Sequence, residues 1–352
     1  MTKPIQNIAM IGTGMVAGAH IQSIADLSAM MKLKGVLARR QESAEAFAKT
    51  ASETCEDRVA AYSSISDITN DAEIDWVLVI TPPNARIDIV TAIAKSGKSI
   101  LLEKPIERDF EAAEKLVQIC EQANVALGIV FQHRMREASL KLASLVADNL
   151  LGDLVVAEVN VPWWREQSYY DEPGRGTYER DGGGVLISQA IHTLDLMLSL
   201  TGPVTHVAAM THTTPLHTME SEDYVSASMR FACGAVGSLM ASTAHYPGGA
   251  ESITLHFSKC VAHLQSGVLT LAWRDGREEK FGDTASTGGG ADPMAFTHTW
   301  HRSIIEDFSN AVASNGKPCV SGREALSVHA LIDALVASSK EQKTLPVRQI
   351  KY

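Results

Sequence analysis

Residues 5–17 read IQNIAMIGTGMVA, and this stretch decides the fold. A short apolar run, Ile5–Ile11, ends at Gly12. Gly12-Thr13-Gly14-Met15-Val16-Ala17 then forms a G-x-G-x-x-A pattern opening a helix predicted over Met15–Ala29. Small residues here let the backbone approach a pyrophosphate, and the N–H groups and dipole of a helix N-terminus favour an anion. The pattern alone is weak; its position after the first strand and at the start of a helix makes it a dinucleotide motif.

The residues that follow keep to that architecture. Lys32–Ala38 reads as a strand, Glu42–Thr50 as a helix, Asp75–Thr81 as a strand and Arg86–Lys95 as a helix. Ser99–Leu102 reads as a strand, Glu111–Ala123 as a helix and Val125–Phe131 as a strand. Short, non-alternating apolar strands separated by helices indicate a parallel sheet buried on both faces, hence a doubly wound α/β Rossmann domain over residues 1–130. After about residue 150 the pattern changes. Leu154–Trp163, His206–Thr213, Tyr224–Phe231, Ala235–Thr243, Ser252–Phe257, Val261–Gln265 and Val268–Ala272 read as successive strands after one helix at Gly184–Leu200. They predict an α+β domain with an antiparallel sheet over 131–352. Phe281–Pro293 reads as a Gly-rich, mobile loop, and helices resume at His301–Ser314 and Gly322–Ser338. The C-terminal segment either stays in the second domain or packs back on the first.

The bulk numbers bound the function. The chain has 352 residues, enough for two domains, and its 45% hydrophobic and 20% charged residues are those of a globular protein. A net charge of −10, with no basic block, argues against nucleic acid or an anionic membrane as partner. No run approaches the roughly 18 apolar residues of a membrane span, so a cytoplasmic protein is expected. The five cysteines (Cys55, Cys120, Cys233, Cys260, Cys319) form no C-x-x-C pair, so neither a disulfide framework nor structural zinc is expected.

The tip of the second strand, Val36-Leu37-Ala38-Arg39-Arg40, bears on the cofactor. An acid there would bind the ribose 2′-hydroxyl of NAD, whereas Arg39 or Arg40 can pair with a 2′-phosphate. NADP is therefore the expected cofactor and NAD the alternative, in which both arginines are ordinary surface charges.

Taken together, GTGMVA, Thr81-Pro82-Pro83-Asn84, Glu103-Lys104-Pro105, GGGVLISQAIHTLDLM, HRSIIEDFSNAV and VSGREAL resemble the Gfo/Idh/MocA oxidoreductases across essentially the whole chain. The resemblance implies a Rossmann domain followed by an open-faced, mostly antiparallel sheet domain. A sugar or polyol would bind between them, and the sheet would serve as a homodimer or homotetramer interface. It implies hydride transfer between a carbinol carbon and the nicotinamide, with Lys104 and His192 managing the hydroxyl proton. It also places Thr81, Pro82, Asn84 and Glu103 with Lys104 at the dinucleotide and makes the Lys104–Pro105 bond cis. His133 and Arg134 would enter the cleft, Ser188 and Gln189 would face substrate, and His301 would lie near it. A base beside the carbinol is sound chemistry, because hydride does not leave an alcohol carbon unless the oxygen gives up its proton.

Other readings stand beside these. Lys104 is either catalytic or a loop partner of Glu103; Arg134 is either a substrate ligand or a salt bridge at the domain joint. His192 is either the base or a core histidine on a helix it shares with Ser188 and Asp195, four residues before it and three after. Two departures from the family pattern stand out: Ser188 replaces a common aspartate, and Arg86 replaces a common histidine. Trp163, Arg165 and Tyr178 suit stacking on a sugar and binding its hydroxyls, or else belong to a loop packed on the sheet edge. His298 and His301 have ligand-like spacing, but no carboxylate–histidine set is evident around them, so no metal is expected. Rival functions are a dihydrodiol dehydrogenase, a non-catalytic NAD(P)-sensing regulator, and an NAD-dependent glycosidase.

Overall fold

The computed structural model describes residues 5–286, 289–290, 294 and 296–351. The chain divides into two compact units: 1–107 with 111–132 and 298–325, and 108–110 with 133–297 and 326–352.

The first unit is built on β1 (Gln6–Ile11), α1 (Ala17–Asp26), β2 (Met31–Leu37), α2 (Gln41–Cys55), β3 (Ala60–Tyr62), α3 (Ile65–Thr69), β4 (Trp76–Val79), α4 (Arg86–Lys95), β5 (Ser99–Glu103), α5 (Phe110–Gln122) and β6 (Leu127–Val130). The strands form one parallel sheet in the order β3-β2-β1-β4-β5-β6, the doubly wound order expected of a dinucleotide fold. All four residues of both β4 and β6 are buried, which is why these segments read as continuous apolar runs. Elements β3 and α3 are not among those predicted from the sequence. Ala60–Tyr62 is too short for a pattern, and α3 announces itself only by a capping box between Ser64 and Asp67.

The second unit carries α6 (Glu137–Ala147), β7 (Leu154–Pro162), α7 (Gln167–Tyr170), α8 (Ile191–Thr201), β8 (Val204–His212), β9 (Tyr224–Phe231), β10 (Val236–Ser242), β11 (Ser252–Phe257), β12 (Cys260–Gln265), β13 (Val268–Trp273) and β14 (Glu278–Phe281). Then come α9 (Thr299–Ser314) in the first unit, α10 (Gly322–Glu341), which spans the boundary, and β15 (Leu345–Pro346). The second sheet runs β14-β13-β12-β11-β7-β10-β9-β8-β15, antiparallel except for the β7–β10 pair. Strand β9 alternates buried and exposed residues along its length, the signature of a sheet with one covered and one open face. On the covered face α8 packs against β7 and β11.

Helix α9 belongs to the first unit because its inner face completes that core. Phe308 meets Trp76 edge to face, with ring centroids 5.2 Å apart. Gly128 in β6 is small for the same reason, since a Cβ there would lie 2.5 Å from the Phe308 ring. Gln6 joins the two ends of the unit: its amide donates to the Ser309 carbonyl and its Oε1 accepts from Trp76 Nε1. Part of the predicted Gly-rich loop, 287–288 and 291–293, lies outside the described residues.

Candidate active site

In the first unit, three loops leave the carboxyl edge of the parallel sheet. The first is the glycine turn. Gly12 has φ +107°, and a Cβ on it would lie 2.9 Å from the Ile80 backbone carbonyl carbon, so only glycine fits. Gly14 opens onto empty space, and Val16, the cap of α1, makes no side-chain cap hydrogen bond. An uncapped helix start beside a glycine that leaves room is suited to a phosphate group. The residues present therefore fit the pyrophosphate of a dinucleotide. Thr13, Met15 and Ala17 complete the turn, and Arg39 and Arg40 stand exposed beyond the end of β2.

The second loop, Thr81–Ala85, follows β4; Thr81 is half-buried, while Pro82 and Asn84 are exposed. The third carries Lys104, half-buried, with a cis Lys104–Pro105 bond. Beneath it lies a buried polar cluster that the sequence reading missed. Glu103 is 6% exposed; its Oε1 accepts from His20 Nε2 at 2.8 Å and its Oε2 from the Lys104 backbone N–H at 3.0 Å. Burial opposes the carboxylate charge, yet His20, His301 and Lys104 outweigh it and hold the Glu103 carboxyl down at about 2. His301 lies 3.9 Å from Glu103 Oε1, its ring edge-on to His20. Burial and the neighbouring His20 push His301 down to about 3, so it is neutral at pH 7.

His301, which the resemblance places near substrate, is 1% exposed inside the first unit. One expectation changes here. The carboxylate–histidine set expected to be missing around His301 exists: the ligand-type atoms of His20, Glu103 and His301 lie within 4.8 Å of one another. The 2.8 Å approach of His20 to Glu103 is a hydrogen-bond length and accounts for that pair without an ion. One signal was available in the sequence, for His20 falls in the Ala17, Ile21, Ile24 stripe that α1 buries.

In the second unit, the stretch before His192 is tightly constrained. A Cβ on Gly184 would lie 1.8 Å from the Glu222 carbonyl oxygen, and one on Gly182 2.4 Å from that of Arg108. Glu222 receives the N–H groups of Gly184 and Leu186 on its carboxylate, capping the helix from a distant strand connection. Burial raises its carboxyl despite those donors. The predicted helix over Gly184–Leu200 is two segments: a π turn over Leu186–Ala190, holding Ser188 and Gln189, and then α8. Wide turns of this kind recur at functional sites.

His192 is 6% exposed and stacks on His133, with centroids 4.8 Å apart. Asp195, one turn on, takes a two-pronged ion pair from Arg134, with Nε at 2.7 Å and Nη2 at 2.6 Å. Arg134 is thus a salt-bridge partner of the His192 helix, and this ion pair lies inside one unit and not across the domain joint. The aromatic and arginine set divides. Trp163 and Arg165 are buried; Trp163 Nε1 donates to Glu251 at 3.3 Å, and Arg165 Nη1 donates to the Trp164 and Gly290 carbonyls at 2.6 Å. These are the contacts of a packed loop. Tyr178 is 45% exposed, Ser188 half-buried, and Gln189 donates to the Tyr169 hydroxyl at 3.4 Å.

A second polar knot fixes that loop. His217 Nδ1 meets Asp223 at 2.7 Å and Nε2 meets the Arg165 carbonyl at 2.9 Å. Both partners only accept, so the ring carries both protons. Burial works against that charge, but Asp223 and the carbonyl outweigh it and hold the imidazole above its ordinary range.

A parallel sheet with a glycine turn, joined in sequence to a mostly antiparallel sheet domain, defines a two-domain dinucleotide-binding protein. The comparisons name its family. Residues 6–131 match the model of the oxidoreductase family with an NAD-binding Rossmann fold, and residues 139–263 match a GFO/IDH/MocA C-terminal domain. The chain belongs to the GFO/IDH/MocA family. It is similar to the rhizopine catabolism protein MocA of Rhizobium meliloti, 28% identical over 55% of this chain and 57% of that one. The chain thus spans under two thirds of that relative's length. It is also similar to inositol 2-dehydrogenase of Rhizobium meliloti, 24% identical over 96% of this chain and 98% of that one. Among solved structures, the WlbA dehydrogenase of Bordetella pertussis, in complex with NADH and UDP-GlcNAcA, superposes with a TM-score of 0.80. It is 27% identical, covering 98% of this chain and 100% of that one. Among the described residues no helix is long and apolar enough to cross a membrane.

Proposed function

We propose that the protein is an NADP(H)-dependent oxidoreductase that moves a hydride between the nicotinamide and a carbinol or ketone carbon of a sugar, polyol or sugar derivative. The observation that carries this reading is the shared edge of the first sheet. The glycine turn, the Thr81 loop and the Lys104 loop all leave the carboxyl ends of adjacent parallel strands, where such folds bind ligands. Family membership and the names of the relatives support the substrate class.

When bound, the nicotinamide supplies the hydride acceptor. The chain's own residues supply everything else. Gly12–Ala17 would hold the pyrophosphate at the start of α1, and Thr81, Pro82, Asn84 and Glu103 would shape the nicotinamide side. In oxidation the proposed role of the His192 imidazole is to take the carbinol hydroxyl proton, and that of the Lys104 ammonium is to donate a hydrogen bond to substrate oxygen. With the bound nicotinamide as hydride acceptor, the carbinol would become a carbonyl and its hydroxyl proton would be left on His192 for release. Ser188, Gln189 and Tyr178 are the proposed substrate contacts, and Arg134 orients the His192 helix through Asp195. The lack of an acid beyond β2 supports NADP, with Arg39 and Arg40 pairing with the 2′-phosphate; the NADH complex is a property of the WlbA neighbour.

The open sheet face supports self-association. Met210, Ser226, Met240 and Asn160 pair across β8, β9, β10 and β7 as one row, and Met210 is 57% exposed.

The test is an absorbance screen at the nicotinamide band over inositols, hexoses and uridine diphosphate sugars, with both cofactors. Turnover that favours NADP+ supports the reading. Turnover left unchanged by Lys104→Ala and His192→Ala contradicts the assigned roles.

A further inference from the structure

The loop that carries Lys104 is held from beneath by a residue the proposed chemistry does not use. Arg86 opens α4 and is 2% exposed. Its guanidinium lies among the backbone carbonyls of two loops. Nε and Nη2 both donate to the Thr81 carbonyl, at 2.9 and 2.6 Å. Nη1 donates to the carbonyls of Glu103 and Pro105 and reaches that of Ile106 at 3.4 Å. Thr81 follows β4 and Glu103 ends β5, so one side chain joins the carboxyl ends of two adjacent parallel strands.

The chemistry of this cradle is specific to arginine. Four carbonyls of fixed direction require a planar fork with several donors; a lysine ammonium is a point charge, and a histidine ring offers two nitrogens at most. Burial lowers the guanidinium pKa to about 10, with the Glu103 and Glu107 carboxylates opposing the fall, so the group stays cationic at neutral pH. From the other side, the Glu103 carboxylate accepts the Lys104 backbone N–H and the His20 ring. The Lys104 backbone is therefore fixed from both sides.

We propose that Arg86 is a positioning residue for hydride transfer: it sets the Lys104 loop against the Thr81 loop, so that the ammonium and the nicotinamide pocket keep one register. This rests on the role given to Lys104 above. Arg86 touches neither reactant in this scheme, so its loss lowers kcat and leaves the pyrophosphate site at Gly12–Ala17 intact.

Two measurements on the full chain test it, using Arg86→Lys and Arg86→Met. The first is amide hydrogen exchange without ligand. Both variants are expected to exchange faster over residues 81–86 and 100–108, with the β1–α1 segment unchanged. Unchanged exchange in those two loops, or a rise spread over the whole unit, overturns the positioning role. The second is turnover with NADP+ on the same panel of inositols, hexoses and uridine diphosphate sugars, beside NADPH titration by fluorescence. kcat is expected to fall on the order of 10²-fold, the effect of displacing a reacting group by about an ångström, and NADPH affinity to fall by much less, because the pyrophosphate site is untouched. Wild-type kcat in Arg86→Lys overturns the proposal. Should Arg86→Met not fold, Arg86→Lys carries both measurements. Should the wild type turn over nothing on the panel while the loops loosen in the variants, the hydride-transfer reading fails and the clamp on the loop stands.

Discussion

Lys104 and His192 stand at the ends of two very different supports. Lys104 follows a buried strand and rests on Glu103, whereas His192 lies on a helix between stacked His133 and the Asp195–Arg134 pair. Removing either of these proposed proton-handling groups is expected to lower kcat by roughly 10²–10⁴-fold, the usual share of general acid–base catalysis, as measured by turnover of Lys104→Ala and His192→Ala. Arg39 and Arg40 are exposed, and their effect is expected on cofactor choice alone. Replacing both with alanine is expected to weaken NADPH roughly tenfold or more, from the loss of charge-assisted contacts worth about 1.5–3 kcal/mol, with NADH unchanged in the same titration. The glycine turn and the strand-end tripeptide that carries Lys104 were legible in the sequence because they are local patterns. The contacts made by His20, Arg86 and Glu222 were not. Their partners lie 83, 17 and 36 residues away, and no local spacing encodes a contact made by the fold.

At the scale of elements, the strongest dependence is on α9. Phe308 fills the space that Gly128 leaves, so Phe308→Ala is expected to cost about 3–5 kcal/mol in urea unfolding of the first unit. The sequence reading found this helix from its apolar period but left open which domain it joined, because periodicity marks a buried face and not what buries it. The π turn was likewise invisible: its apolar residues read as ordinary helix. Its start is capped by Glu222, and Glu222→Ala is expected to cost about 1–3 kcal/mol by leaving two N–H groups without their acceptor. The knot at His217 adds a pH dependence. Its folded pKa is raised, so its stabilisation is full below the ordinary imidazole range and is lost as pH rises through the folded value. Burial works against ionised Asp223, but hydrogen bonds from His217 and Thr214 hold its pKa below the ordinary value, so its stabilisation is lost only as pH falls through that lower value. Resistance of the wild type to denaturant is therefore expected to weaken on the alkaline side of neutrality, and His217→Gln is expected to remove that slope. A slope that survives the substitution assigns it to other groups.

The whole molecule unites a dinucleotide sheet with a sheet of which one face stays open. Its two-part organisation was legible because buried parallel strands and half-covered antiparallel strands leave different patterns, continuous in β4 and alternating in β9. The division of the C-terminal segment between the units was not, since α10 crosses the boundary without a break in its pattern. Met210→Glu places a charge in the open row between β8 and β9, and light scattering is expected to show a smaller assembly than the wild type. An unchanged mass rules out that face as the interface. The central claim is hydride transfer from carbinols to the nicotinamide, with Lys104 and His192 managing the hydroxyl proton, and one measurement meets it most directly: reduction of NADP+ by the wild type and by Lys104→Ala on a panel of inositols, hexoses and uridine diphosphate sugars. The account predicts turnover of at least one class by the wild type and its near loss in the variant, with NADPH binding retained. Equal turnover by both proteins, or none by the wild type, would contradict it.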